Sequence, residues 1–149
     1  SKNLQKLNSN LLLLYTGIQR DAHTIANSYV HKLSNQKEKN IRKIIQYVDL
    51  GEQFIQSGNL DDFGRLLHET WMQKKELSSR ISNDKIDQLY SQFIKNGALG
   101  GKLLGAGGGG FLLIISDKKS KNQIKKALFD LPEIKINYNP NGSRVLLVE

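Results

Sequence analysis

Apolar residues change their spacing along this chain in a definite order. The stretch NLLLLYTG, residues 10–17, is a block of leucines closed by glycine, which predicts a buried strand. From Asp21 the apolar positions take a helical period: Ile25 and Ala26, Tyr29 and Val30, then Leu33. A second helix is predicted by Ile41, Ile44, Ile45, Val48, Phe54 and Ile55, with Gly51 a point of disturbance. After the break SGN, Asn59 reads as an N-cap, and Asp61 and Asp62 sit near the positive helix end. That third helix carries Phe63, Leu66, Leu67, Thr70, Trp71 and Leu77. A fourth opens near Ser82 or Asn83, with capping favoured for Ser82. It runs through Ile86, Leu89, Tyr90, Phe93 and Ile94 and ends at Asn96-Gly97 in the usual left-handed manner.

Beyond Gly97 comes a glycine-rich connection, then FLLIIS as a second buried strand and Lys119 to Leu128 as a helix closed by Leu131-Pro132. EIKINY and SRVLLV alternate around the turn residues NPNG, which predicts an antiparallel hairpin. Strand, four helices, strand, helix, strand, strand: this order predicts an α+β fold, helices packed on a small, mostly antiparallel sheet.

Composition narrows the class. The 149 residues suit one domain or one half of a larger protein, and 38% hydrophobic with 24% charged residues is ordinary for a globular chain. Without cysteine there are no disulfides and no thiolate metal sites. His23, His31 and His68 share no metal-ligand spacing. No apolar run approaches the ~20 residues that span a bilayer. The opening decapeptide is polar, so the cytoplasm is the expected compartment, with no membrane partner. The net charge of +8 raises the question of an anionic partner. The basic stretches HKLSNQKEKNIRK and DKKSKNQIKKALF lack interleaved aromatics, so a nucleic-acid partner is not expected.

Chemistry concentrates in GALGGKLLGAGGGGFLLII, residues 97–115. Seven of the thirteen glycines lie between Gly100 and Gly110. Each gives up more chain freedom on folding than alanine would, by roughly 0.5–1 kcal/mol in regular structure. The P-loop pattern fails here: its first glycine would be Asn96, and Leu103 replaces the hydroxyl after Gly101-Lys102. Gly105, Gly107 and Gly110 satisfy GxGxxG, but that fingerprint belongs between a strand and a helix, so a nicotinamide cofactor is not indicated. Two readings remain. The bare amides receive an anion, or another backbone, at close range; or the glycines only make a turn. Lys102 would add a mobile point charge. A branched side chain at Gly107 is expected to block close approach while leaving the helices folded.

On these residues the stretch resembles the C-terminal signature of the GHMP kinases, the group of galactokinase, homoserine kinase, mevalonate kinase and phosphomevalonate kinase. LLLLYTGIQRDA, HETWMQKKELSSRIS and IDQLYSQFIKNGALGGK further resemble the branch that contains D-glycero-D-manno-heptose 7-phosphate kinases and related sugar kinases. The resemblance covers nearly all of residues 1–149, but only the C-terminal lobe of a two-lobed architecture. It implies a ferredoxin-like α/β sandwich on a four-stranded sheet. It also implies transfer of the γ-phosphoryl of ATP, with Mg2+, to a sugar or sugar-phosphate hydroxyl. The loop comprising Gly101, Lys102, Gly105, Ala106, Gly107, Gly108 and Gly109 would line the cleft against the chain's own N-terminal lobe. Catalytic base and Mg2+ ligands are expected in that other lobe, so no catalytic residue is nominated here. Galactokinase-type activity, and a non-catalytic module for an anionic metabolite, are the alternatives.

For the acceptor side, Lys74 lies in phase with Leu67, Thr70, Trp71 and Leu77, an odd place for a charge. Either it faces an anionic substrate, or its stem snorkels past the core rim. Lys75, spaced to lie over His68 and Trp71, would set a cation beside an aromatic edge. Arg20 is a further candidate anion contact, and Ser79 could hydrogen-bond sugar hydroxyls.

Overall fold

The computed structural model describes residues 2–30, 35–128 and 130–136. Its elements are α1 (Lys2–Asn10), β1 (Leu11–Tyr15), α2 (Ala22–Val30), α3 (Asn35–Ser57), α4 (Leu60–Lys75), α5 (Asp84–Lys95), β2 (Ala98–Leu103), β3 (Phe111–Ser116), α6 (Lys118–Ala127) and β4 (Glu133–Ile134). The strands form one sheet in the order β2-β3-β1-β4, and every neighbouring pair is antiparallel. That order, with crossovers between β1 and β2 and between β3 and β4, is the split βαβ arrangement of ferredoxin-like folds. The predicted α+β class stands.

Two elements depart from the sequence reading. α1 was not predicted, because its polar surface gives no clear apolar stripe. It is held instead by long polar arms: Asn3 Nδ2 donates to Gln56 O at 2.6 Å and Lys6 Nζ to Gly58 O at 2.9 Å. The front half of the glycine connection is also strand, not loop. ALGGKL pairs with β3, Gly101 opposite Ile114 and Leu103 opposite Leu112, so the glycines belong to a hairpin. The start of EIKINY forms β4 and pairs with β1, Ile134 opposite Leu13. The rest of the predicted terminal hairpin lies outside the described residues.

The caps are local chemistry. Asn59 accepts from Asp62 N at 3.2 Å, and acidic Asp61 and Asp62 with basic Lys74 and Lys75 suit the dipole of α4 at its two ends. Asn83, rather than Ser82, caps α5 by accepting from Ile86 N at 3.1 Å; Ser82 Oγ instead donates to Asp87 Oδ1. α3 runs through Gly51 unbroken, and that glycine is buried against Phe63 and Leu66 where α3 meets α4. The core joins inward residues of the sheet, Leu12, Leu14, Leu103, Leu112 and Ile114, to Trp71, Ile86, Phe93 and Ile124 of the helices.

One contact fixes how helix and sheet meet. A Cβ on Gly100 would lie 1.9 Å from Gly64 O, and one on Gly64 would lie 2.5 Å from Leu99 Cβ. Helix α4 therefore crosses β2 glycine on glycine, nearer than any side chain allows. Beside this crossing, Tyr90 donates to Gly101 O at 3.2 Å, and its oxygen lies 2.8 Å from Nδ1 of His68 on α4. Burial raises the Tyr90 phenol well above its ordinary pKa, so it remains a donor. Periodicity does not reveal this clamp, since Tyr90 reads in the sequence as one more apolar position.

Candidate functional site at the glycine hairpin

The hairpin closes through residues 104–110, with Leu104 N donating to Phe111 O at 2.9 Å. Gly105, Gly107, Gly108 and Gly110 have φ of 73°, 115°, 74° and 92°, a region that glycine enters without steric cost. Two neighbouring segments hold the loop. From the β1–α2 connection, Thr16 N and Thr16 Oγ1 both donate to Gly110 O at 2.9 Å, and Gly110 N returns a bond to Ile18 O at 3.0 Å. From the α4–α5 turn, Ile81 O accepts from Gly108 N at 2.7 Å and Asn83 Nδ2 donates to Gly108 O at 3.2 Å.

These clamps account for part of the glycine usage. A Cβ on Gly107 would lie 2.7 Å from both Ile81 Cα and Ile81 O, and one on Gly109 would lie 2.5 Å from Ile18 O. The backbone that approaches there is the chain's own. A valine at Gly107 would thus press on the chain's own Ile81 backbone and strain the fold, and not only block the approach of an outside group as expected. Gly105 differs: it is exposed, and a Cβ there would meet only the mobile end of Arg20. The amides of Gly105 and Ala106 donate to nothing among the described residues.

Two cations bind this loop and a third lies near them. Arg20 donates from Nε to Gly109 O at 3.0 Å and from Nη2 to Leu104 O at 3.4 Å. Lys74 Nζ donates to Gly105 O. Lys102, on β2, is partly buried beside them. Burial, then the charges of Lys102 and Arg20, lower the Lys74 ammonium to a pKa of about 8. Burial lowers Lys102 too. None of the three pairs with a carboxylate among the described residues. Arg20 and Lys74 still have donors to spare, since guanidinium carries five and ammonium three.

The other nominated residues lie elsewhere. Trp71 is fully buried, 6.4 Å from the Tyr90 ring, so its indole belongs to the core and is closed to a ligand. Lys75 Nζ lies over the Trp71 ring at 5.8 Å and pairs with Asp87 at 3.1 Å, and with Ser79 it lines a depression beside the α4–α5 turn. Ser79 is exposed in the α4–α5 turn. The cationic set and the bare loop suit phosphate oxygens. Among the described residues no group of three His, Asp or Glu side chains could hold a metal ion, and no helix is long and apolar enough to cross a membrane.

Helices on an antiparallel sheet in the ferredoxin-like order, with a glycine-rich hairpin at one end, define the class as an α+β sandwich. Comparison with known proteins makes the class specific. The family model described as "GHMP kinases C terminal" matches residues 52–132, more than half of the chain, and the chain belongs to that family. It is 33% identical over 83% of its length to the D-glycero-alpha-D-manno-heptose 7-phosphate kinase of Campylobacter jejuni. It is also 34% identical over 78% of its length to the L-fucokinase/L-fucose-1-P guanylyltransferase of Bacteroides fragilis. The chain spans 37% of the first relative and 13% of the second. Among solved structures, a mevalonate kinase superposes with a TM-score of 0.71 at 25% identity, covering 90% of this chain and 42% of that one.

Proposed function

We propose that residues 1–149 are the C-terminal lobe of an ATP-dependent sugar or sugar-phosphate kinase, akin to heptose 7-phosphate kinase, and that the glycine hairpin faces the cleft against an N-terminal lobe. The observation that carries this reading is that Arg20 and Lys74 bind one loop, with Lys102 close enough to act on Lys74, and without a counter-charge among the described residues. Like charges brought together and partly desolvated cost stability, and a shared anion offsets that cost. Phosphoryl transfer demands chiefly positioning and charge neutralisation, which such a loop can give. Arg20 and Lys74 would hold phosphate oxygens, the Gly105 and Ala106 amides would donate to them, and the Thr16 and Asn83 clamps would keep the loop in place. ATP with Mg2+ supplies the transferable phosphoryl group; the N-terminal lobe would hold most of the nucleotide, the Mg2+ ligands and any catalytic base. Cytoplasmic sugar metabolism is the setting that suits these substrates.

The test is an ATP-consumption screen of the full-length protein against free and phosphorylated heptoses and hexoses. Turnover with at least one, lost in Lys74→Met and Arg20→Gln, is expected. Binding of an anionic metabolite without any turnover across the panel would replace the kinase by a binding module.

A further inference from the structure

A second polar site lies next to the glycine hairpin. A depression of about 600 Å³ opens between α2 and the α4–α5 turn, lined by Thr24, Asn27, Ser28, Lys37, Ser78, Ser79 and Arg80. Every lining residue is polar, and none is acidic. Its floor is organised: Ser28 Oγ and Ser78 Oγ lie 2.7 Å apart, Ser28 Oγ donates to Ile25 O at 2.6 Å, and Arg80 N donates to Ser78 Oγ at 3.2 Å. The nearby Asp21 carboxylate is engaged, accepting from His23 N and from the Thr24 hydroxyl. The exposed Arg80 side chain forms no ion pair among the described residues.

The depression shares its walls with the hairpin. The turn that bears Ser78, Ser79 and Arg80 continues into Ile81, which accepts from Gly108 N; a Cβ on Gly108 would lie 3.3 Å from Arg80 O. On the opposite wall, Thr24, Asn27 and Ser28 follow Arg20 by four to eight residues. Within α2 itself, Thr24 to Ser28 extend along the helix by about 6 Å. We propose that this depression receives the phosphate that the acceptor already carries, with Arg80 as its principal ligand and the hydroxyl floor facing the sugar. A guanidinium grips phosphate in two-point fashion, and serine, threonine and asparagine side chains can both donate to and accept from a polyol. The acceptor class is then a polyol phosphomonoester rather than a free sugar. This rests on the kinase reading for its biological sense, but the binding it requires does not.

Binding is therefore measured on the full-length protein without nucleotide, by calorimetry, using mannose 6-phosphate, mannose and inorganic phosphate as probes. Mannose 6-phosphate should bind at least tenfold tighter than mannose, and inorganic phosphate should compete with it. Arg80→Gln should erase that preference, Arg80→Lys should keep part of it, and Lys119→Gln on α6 should leave it intact. Circular dichroism should be unchanged in all three, since these side chains are exposed. Equal binding of the two sugars, no binding of either, or an unaltered preference in Arg80→Gln would overturn the site. Failure of the turnover screen with the preference intact would count against the kinase alone.

Discussion

Lys74 is the residue where stability and chemistry pull apart. A lysine whose folded pKa is depressed to about 8 is disfavoured in its charged form by the fold. Below that pH the penalty is fully present; between about 8 and the unfolded value near 10.4 the unfolded chain binds more protons, so stability rises with pH. Lys74→Met should accordingly raise Tm at pH 7 and lose much of that advantage at pH 10, while phosphate-dependent turnover falls. Thermal scans at the two pH values read the first effect; an advantage that does not shrink would show that desolvation of Lys74 is not the cause. Gly105 is the cleaner loop probe. Its positive φ costs alanine about 1 kcal/mol, and the new methyl would push Arg20 off Leu104 and Gly109. Gly105→Ala should therefore weaken inorganic phosphate binding several-fold with only a small change in Tm. Sequence phase alone marked Lys74 as an odd charge. It could not separate Lys74 from Lys75, which one more residue of helix turns away to Asp87.

At the scale of elements, the crossing of α4 over β2 decides where the loop sits. Gly100 faces the backbone of Gly64, where neither side can give way. Gly100→Ala should cost roughly 3 kcal/mol through overpacking, a fall in Tm of about 6–12 °C for a chain of this size. Gly51→Ala is the control: its Cβ would meet only side-chain atoms at 3.5 Å or beyond, and in mid-helix alanine is the better residue, so Tm should hold or rise. A Tm for Gly100→Ala equal to wild type would mean that helix and strand stand further apart than described. The periods of α2 to α5, the cap at Asn59 and the leucine run of β1 were legible, because each depends on residues within a turn or two, whereas the cap of α5 fell on Asn83 and not on the favoured Ser82. β2 was not. Two central glycines disguise ALGGKL as a loop, and only the partner strand and the helix above it make those glycines a strand.

The whole molecule presents two unlike faces. On one, the hairpin holds Arg20 and Lys74; on another, α3 and α4 frame an apolar groove with Ile44, Ile55, Phe63 and Leu67, beside exposed Ile45 and Val48, and Lys102 of β2 lines that groove. A domain whose cationic loop carries no counter-charge among its described residues is expected to work against a partner surface. The 149 residues expressed alone should show no ATP turnover, whereas the full-length protein should. Turnover by the isolated chain would remove the need for a second lobe.

Taken by itself, the sequence determined the helical succession, the two buried strands and the glycine signature that marks the family, because periodicity, capping and glycine content act locally. Tertiary structure alone decided that the signature is half strand, that Trp71 is core, and that Arg20 reaches a loop more than eighty residues away. Those outcomes depend on which backbones come close enough to exclude a side chain and on which charges burial leaves together. Neither quantity is set until the sheet has closed under α4.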